Sequence, residues 1–503
     1  MSTPLAHQSL ASKSLNALKW NYIGRLISLS LQFSIGVILA RLLGPEPFGL
    51  VAIALFVQGL GNLFAEGGLG SALIQSQDID EHDIRSVFTT QMLIGLITSG
   101  IIIGLAPLLA SFFNEPKATP VIMAMALSFC LQAFGQSANS LLRREFEFKK
   151  IQIISIISYC IGYIGIGLPM AFMNYGVWSL VAAQLSQTTL NSITTYFSHR
   201  HAIFPLVNPK NCRFLRFGAA ITFNNIKSWG ISSLDTAIIG RFYDTATLGL
   251  YNRAFNLVNM PTFAVASSMQ NVLLSVYAKS QNNCDILHNT YIASVTLMAL
   301  IFLPIFSAMA AVPDLIVLGI YGENWSQAIP LIIPLCFGMG FTAMLAMAGP
   351  LLAGIGKPQI EFKVQLITLL FSIPALLISA NYSILALVWT VFASYVLRFL
   401  LLTIMSLKAI KTDVYQIFYI ITVPSLIAVL NYEFAFLIGE VLKQTLLSST
   451  IKLSIVIIGC IPFYPLTLWL CKKLIIRGKV KALLKSIEYK LPARIIKLSG
   501  LNA

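Results

Sequence analysis

Charged residues are scarce in this chain. Of its 503 residues only 11% are Asp, Glu, Lys or Arg and 57% are hydrophobic, whereas soluble domains carry about 25% charged residues. A chain of this length could form about three soluble domains, but it lacks the charge that would cover their surfaces. The composition therefore excludes a soluble enzyme and a disordered protein. It predicts an all-α integral membrane protein, because its apolar stretches are long enough for spanning helices.

Sequence patterns that accompany catalysis or cofactor binding are also missing. The chain has no Walker A motif, no H-E-x-x-H and no G-x-S-x-G. Its seven cysteines stand singly, without a C-x-x-C pair or a zinc-binding Cys/His spacing. We therefore predict no enzyme activity, no metal and no cofactor. Without an ATPase, transport would draw on an ion gradient, a partner's energy or substrate mass action, and coupling to protons or sodium is left open.

About fourteen apolar segments are long enough to cross a bilayer, which needs roughly 20 residues per helix. The connections between them are short, so no soluble domain lies between the spans. The predicted spans are 15–40, 48–74, 87–110, 119–141, 151–173, 176–198, 214–239, 247–276, 290–312, 326–354, 362–380, 384–406, 414–437 and 448–471.

Lys and Arg fall mainly on one side of this topology. With the N-terminus in the cytoplasm, 25 of them lie in the cytoplasmic loops and the termini. The outer loops carry only Arg41, Lys117, Arg241, Lys443 and Lys452. The positive-inside rule therefore predicts that both termini are cytoplasmic. It also accounts for the net charge of +15 without a nucleic acid partner.

The chain repeats itself at an offset of 200 residues. The segment ILARL at 38–42 matches IIGRF at 238–242, and Gly49 matches Gly249. Both copies lie where the first two helices of a six-helix unit would join. We predict two parallel halves related by a pseudo-twofold axis along the membrane normal. They cover 1–205 and 206–411, and are followed by two further helices over 412–472 and a basic cytoplasmic tail over 473–503.

Polar residues recur at steps of three and four inside the predicted spans, which places them on one face of each helix. A charge at a helix centre costs roughly 2.5–3.5 kcal/mol on insertion scales, so these residues should face a wet cavity or pair with one another. We predict a central hydrophilic cavity between the halves. Its predicted substrate-binding residues are Asn21, Arg25, Gln32, Gln132, Gln136, Asn139, Asn225, Lys227, Arg253 and Asn256.

Other roles stay open for several of these residues. Single amides in membrane helices are often interhelical hydrogen-bonding groups instead. Asp235 and Glu66 are candidates for ion coupling, or for internal ion pairs with Lys227 and Arg25. Arg398 is expected near a helix end, from which its side chain can reach the membrane surface.

The excess of Arg and Lys in the predicted cavity suits an anionic ligand. Guanidinium groups bind phosphate through two parallel hydrogen bonds, and amides can bind sugar hydroxyls. The pattern therefore favours a sugar attached to phosphate.

Four stretches are distinctive. They are ILARLLGPEPFGLVAIALFVQGLGNLFAEGGLGSALIQ (Ile38–Gln75), LLRREFEFKK (Leu141–Lys150), YGVWSLVAAQL (Tyr175–Leu185) and LDTAIIGRFYDTATLGLYNRAFNLVNMP (Leu234–Pro261). They resemble the Wzx-type polysaccharide or O-antigen flippases of the polysaccharide transporter family, most of all the colanic-acid exporter type. The resemblance covers roughly residues 10–410 and is not specific to one glycan.

This resemblance implies the fold that multidrug and toxin extruders (MATE) share with lipid II flippases, within the MOP exporter superfamily. It implies a multi-pass protein of the bacterial inner membrane that flips undecaprenyl-diphosphate-linked oligosaccharide units for lipopolysaccharide or exopolysaccharide synthesis, by alternating access. A polysaccharide polymerase and export machinery are the partners it suggests, and the basic tail itself is expected to contact membrane lipid. The alternative is a cation-coupled multidrug antiporter of the same fold, which should favour acidic cavity residues over the basic ones found here.

Overall fold

A computed structural model describes residues 4–65, 69–76, 79–203, 206, 229–230 and 233–471. Every regular element within these ranges is a helix, and the all-α prediction is confirmed. The chain divides into two compact units, Met1–Asn252 and Arg253–Ala503. Each unit is described by itself.

Helices α1 to α9 belong to the first unit, which ends within α10. A π-helical segment, Cys160–Gly167, joins α6 to α7. The helices are α1 Pro4–Leu43, α2 Pro45–Ala65, α3 Leu69–Gln75, α4 Glu81–Phe112, α5 Ala118–Arg144, α6 Phe148–Tyr159, α7 Leu168–Phe172, α8 Val177–Ser198, α9 Leu234–Phe242 and α10 Thr245–Lys279.

Small residues let the helices of the first unit approach closely. A Cβ added at Gly135 of α5 would lie 2.7 Å from the Cα of Ser192 in α8. One added at Gly162, in the π-helical segment, would lie 2.7 Å from the carbonyl oxygen of Ala183 in α8. Membrane helices associate through such close packing, because lipid is as apolar as the side chains it replaces. Helix α5 thus packs against both α4 and α8.

The second unit contains the remaining helices, and α11 packs against α13 and α17. Helix α11 and the stretch Glu323–Gly354 are its most buried spans, whereas less than a third of each span in α15 to α18 is buried. The helices are α11 Cys284–Ala311, α12 Pro313–Ile320, a 3₁₀ helix Glu323–Ala328, α13 Ile329–Leu345, α14 Ala348–Gly354, α15 Pro358–Ala380, α16 Ile384–Ala409, α17 Gln416–Lys443 and α18 Ser449–Leu470.

Eleven stretches among the described residues are long and apolar enough to span a membrane. They match eleven of the fourteen predicted spans. The predicted spans 176–198 and 247–276 are helical, as α8 and α10, but are not among the eleven. The predicted span 214–239 lies mostly outside the described residues, as does the tail 473–503. The total of fourteen therefore stays a prediction.

The sequence did not predict the short helices between the ninth and tenth predicted spans. Helix α12 and the 3₁₀ helix that follows it occupy a stretch expected to be a loop. Gly322 (φ 90°) allows the turn between them. The Trp325 side chain is fully buried there and lies 5.4 Å from the Tyr321 ring, centroid to centroid. Burial of these aromatic rings stabilises the two short helices.

Candidate functional site

The polar face of α1 lies partly against α6. The Gln152 amide donates a hydrogen bond to Asn21 Oδ1 at 3.1 Å, which joins the two helices. Arg25, one turn further along, is half-buried, and Gln32 is exposed. Since lipid cannot solvate a guanidinium, the Arg25 side chain requires water, a ligand or a polar partner within the span.

Three predicted site residues share one face of α5. Gln132, Gln136 and Asn139 are all half-buried. Asn139 Oδ1 accepts a hydrogen bond of 3.4 Å from Arg143 Nε. Side chains that keep some exposure along a spanning helix can meet water or ligand. The face is therefore suited to binding a polar group.

Other amides in the first unit hold helices together. Gln58 of α2 is buried and donates to Ser128 Oγ of α5 at 2.5 Å. Ser137 Oγ donates to Gln91 Oε1 at 2.6 Å, which links α5 to α4. The Gln58 side chain is thus occupied by a neighbouring helix.

Asp235 is buried at the start of α9. Its carboxylate accepts a short hydrogen bond from the Tyr251 hydroxyl and one from the backbone N–H of Thr236 at 2.7 Å. Both partners are neutral donors. Lys227, its predicted ion-pair partner, lies outside the described residues, as do Asn225 and Glu66.

A polar cluster surrounds the junction of α9 and α10. Arg241 Nη1 donates to the Phe112 carbonyl oxygen at 2.8 Å and to Asn114 Oδ1 at 2.6 Å. Asn114 has a positive φ of 53°, a conformation that Asn tolerates well. The Thr245 hydroxyl donates to Glu115 Oε2 at 2.5 Å. We call these five residues the junction cluster; they fix the α4–α5 turn to the α9–α10 turn.

In the second unit, Arg253 is half-buried and lies within electrostatic reach of the Tyr321 hydroxyl. Asn256, one turn further along α10, is exposed. These two predicted site residues therefore follow one another along the same helix, in line with their spacing.

Arg398 is not among the predicted site residues. It lies near the middle of α16, with 14 residues before it and 11 after it in the helix, so the expected position near a helix end was wrong. Glu361 of α15 lies within electrostatic reach of it. A polar stripe could have pointed to this pair, because Glu361, Gln365, Thr368 and Ser372 recur at steps of four, three and four.

Two histidines hold residues 199–203 against the helices of the first unit. His199 Nε2 lies 3.0 Å from Glu145 Oε1. The His201 ring packs against Phe88 and Tyr196, at centroid distances of 5.0 and 5.4 Å. Burial lowers the pKa of His201 below its usual value. No cluster of three or more His, Cys, Asp or Glu suited to a metal occurs among the described residues.

The architecture is that of a solved membrane transporter. The lipid II flippase MurJ, in its inward closed conformation, superposes with a TM-score of 0.71 at 17% identity, over 90% of this chain and 99% of that one. The superposition establishes the fold, and with the eleven apolar spans it defines a multi-pass membrane protein of the MurJ architecture. The predicted fold class is confirmed.

The chain belongs to the polysaccharide biosynthesis protein family, whose model matches residues 38–330, more than half of the chain. It is 23% identical to the lipopolysaccharide biosynthesis protein WzxC of Escherichia coli, over 74% of this chain and 76% of that protein. It is 26% identical to the succinoglycan biosynthesis transport protein ExoT of Rhizobium meliloti, over 68% of this chain and 69% of that protein. The predicted family relationship is confirmed.

Proposed function

We propose that the protein is a flippase that moves polyprenyl-diphosphate-linked oligosaccharide units across the bacterial inner membrane. The observation that carries the proposal is its family: a polysaccharide biosynthesis protein with the fold of a lipid II flippase. Transport rather than catalysis is consistent with the relatives, one of which is named a transport protein.

Alternating access is the mechanism that this architecture supports best. The polyprenyl tail stays in the bilayer while the headgroup crosses past the polar faces of the helices. Arg25, Lys227 and Arg253 are proposed to contact the diphosphate or an acidic sugar, because guanidinium and ammonium groups bind phosphate strongly. The half-buried amides of Gln132, Gln136 and Asn139 are proposed to contact sugar hydroxyls.

The acidic residues are assigned a different role. Asp235 is satisfied by neutral donors, which supports an internal structural contact. Coupling to protons or sodium, through this residue or through Glu66, stays a proposal. We likewise propose that both termini are cytoplasmic and that two six-helix halves cover 1–205 and 206–411. Contact with a polysaccharide polymerase and with export machinery is also a proposal.

A cation-coupled multidrug antiporter is the second candidate. It shares the fold, but a cationic drug would need acidic groups in its path. Arg398 in the middle of α16 and Arg25 within the first span oppose such a substrate, since like charges repel in a region of low dielectric constant.

Deletion of the gene in its native host tests the function. We expect single polyprenyl-diphosphate repeat units to accumulate on the cytoplasmic side while surface polysaccharide is lost, with rescue by the wild-type gene. A glycan hydrolase delivered to the periplasm separates a flipping defect from a polymerisation defect, because it reaches only flipped units. Unchanged glycans together with raised drug sensitivity would favour the antiporter.

Substitution of Arg25 tests the assignment of the site. Arg25→Ala should reduce rescue of export at unchanged protein abundance, whereas Lys408→Ala, at an exposed basic residue, should not. Full rescue by Arg25→Ala would remove Arg25 from the proposed site.

A further inference from the structure

Arg398 lies too deep in the membrane span to reach water at either helix end. Helix α16 runs from Ile384 to Ala409. At a rise of 1.5 Å per residue, Arg398 is about 21 Å from the first residue and about 16 Å from the last. Neither distance can be covered by an arginine side chain. Its charge must therefore be compensated inside the span.

The register of α15 against α16 identifies the level at which Arg398 lies. Lys357, just before α15, donates through Nζ to the carbonyl oxygen of Ala409, at the last residue of α16. Arg398 lies 11 residues before Ala409, and Thr368 lies 11 residues after Lys357. Arg398 is thus roughly at the level of Thr368 in the antiparallel neighbour, deeper in the span than Glu361.

One donor of this guanidinium is not used by the described residues. Its Nε is buried and has no hydrogen-bond partner. Glu361 attracts the positive charge, but among the described residues its carboxylate makes no ion pair with Arg398 within 4 Å. Glu361 instead accepts a hydrogen bond of 3.3 Å from Gln365 Nε2. A buried charged donor without a partner is costly.

We propose that Arg398 is a binding residue for the anionic headgroup of the substrate, with Glu361 as the group that holds its charge when the site is empty. This inference rests on the proposed function. The planar guanidinium can present two parallel N–H groups to a diphosphate or a carboxylate. A bound anion would supply the acceptors that the described neighbours do not.

Glu361 gives the site a means of release. Its carboxylate competes with the incoming anion for Arg398, and it repels an anion that stays close to both. The same stretch of α15 provides a matched control, because Lys363 is exposed and lies two residues from Glu361. Lys363→Gln removes a positive charge near the site without removing Arg398.

Binding of undecaprenyl diphosphate to the purified full chain in lipid nanodiscs tests the proposal, with undecaprenol as the probe without phosphate. We expect Arg398→Gln to weaken binding of the diphosphate about tenfold or more, since hydrogen bonds to charged groups are the strong ones. Arg398→Lys should weaken it less, because the charge remains. Glu361→Gln should leave binding equal or tighter, and Lys363→Gln should not change it.

The outcomes distinguish a failure of the proposed function from a failure of the assignment of Arg398. Equal binding of diphosphate and undecaprenol by the wild-type protein would count against the proposed function. A wild-type preference for the diphosphate that Arg398→Gln retains would overturn only the assignment of Arg398. Loss of binding in both Arg398→Gln and Glu361→Gln, with lowered melting temperatures, would indicate a structural ion pair and also overturn it. If Arg398→Gln does not fold, Arg398→Lys and Glu361→Gln are tested instead. Unchanged affinity of Arg398→Lys for the diphosphate would contradict the proposal, and so would weaker affinity of Glu361→Gln.

Discussion

Gly49 packs directly on the backbone of Thr245, so that a Cβ added at Gly49 would lie 1.7 Å from the Thr245 carbonyl oxygen. The repeat-equivalent contact also exists, since a Cβ added at Gly249 would lie 2.1 Å from the Pro45 carbonyl oxygen. An offset of 200 converts one contact into the other. Helices α2 and α10 begin at Pro45 and Thr245, so their first turns meet in a self-complementary contact of the kind that twofold symmetry produces.

Gly49→Ala should destabilise this contact. The added methyl group meets a backbone oxygen, which cannot rotate away, and overpacking of this kind costs about 1–3 kcal/mol. We expect a lower melting temperature of the purified protein in detergent. Gly104→Ala is the control, because a Cβ there meets nothing within 4 Å and alanine favours a helix. Equal melting temperatures for wild type and Gly49→Ala would show that the helices separate there at no cost.

Arg241→Ala should loosen the junction cluster. It removes the hydrogen bonds to Phe112 and Asn114, and we expect amide hydrogen exchange at residues 112–115 to rise several-fold. Lys117→Ala is the comparison. The 2.8 Å ion pair of Lys117 with Glu46 is more than half exposed on both sides, and such pairs contribute little. Exchange that rises as much in Lys117→Ala as in Arg241→Ala would assign the effect to loss of charge alone.

Gln58→Leu should lower stability without impairing the proposed transport. Its hydrogen bond to Ser128 joins two helices, and such bonds in membranes average about 0.6 kcal/mol and reach about 1.7. The double variant with Ser128→Ala should be less destabilised than the sum of the two single variants, as measured by unfolding in mixed micelles. Impaired export at normal abundance would instead place Gln58 on the substrate path.

The packing of residues 199–203 against the helices of the first unit should weaken in acid. Burial lowers the pKa of His201, and a weaker effect of nearby His199 acts in the same direction. The packed state therefore favours the neutral ring. The stability that the neutral His201 ring gives to this packing is present above the ordinary pKa of 6.5. It is lost as the pH falls through the lowered pKa. Hydrogen exchange of the backbone N–H of Leu206, which donates to Thr89 Oγ1 at 3.0 Å, should rise below that point after correction for intrinsic rates.

His201→Phe is the matched variant for this pH dependence. It keeps an aromatic ring between Phe88 and Tyr196 and removes the titrating group. Its exchange at Leu206 should not depend on pH. A pH dependence that persists in His201→Phe would assign the effect to the His199–Glu145 pair.

The sequence by itself determined the class of protein, eleven of its spans and its family. Hydropathy and helical periodicity are local properties, so they can be read without knowing which helices meet. The same reasoning found the repeat at an offset of 200, because duplicated segments keep their order along the chain.

Only the tertiary structure decided which polar residues are occupied by neighbouring helices. Helical periodicity cannot tell that Gln58 meets Ser128, or that Arg398 Nε lacks a hydrogen-bond partner among the described residues. Both facts depend on contacts between residues far apart in sequence. The packing of Gly49 on Thr245 is another such contact. It requires two helix starts to be brought together, and helix packing, not local sequence, determines which backbones approach.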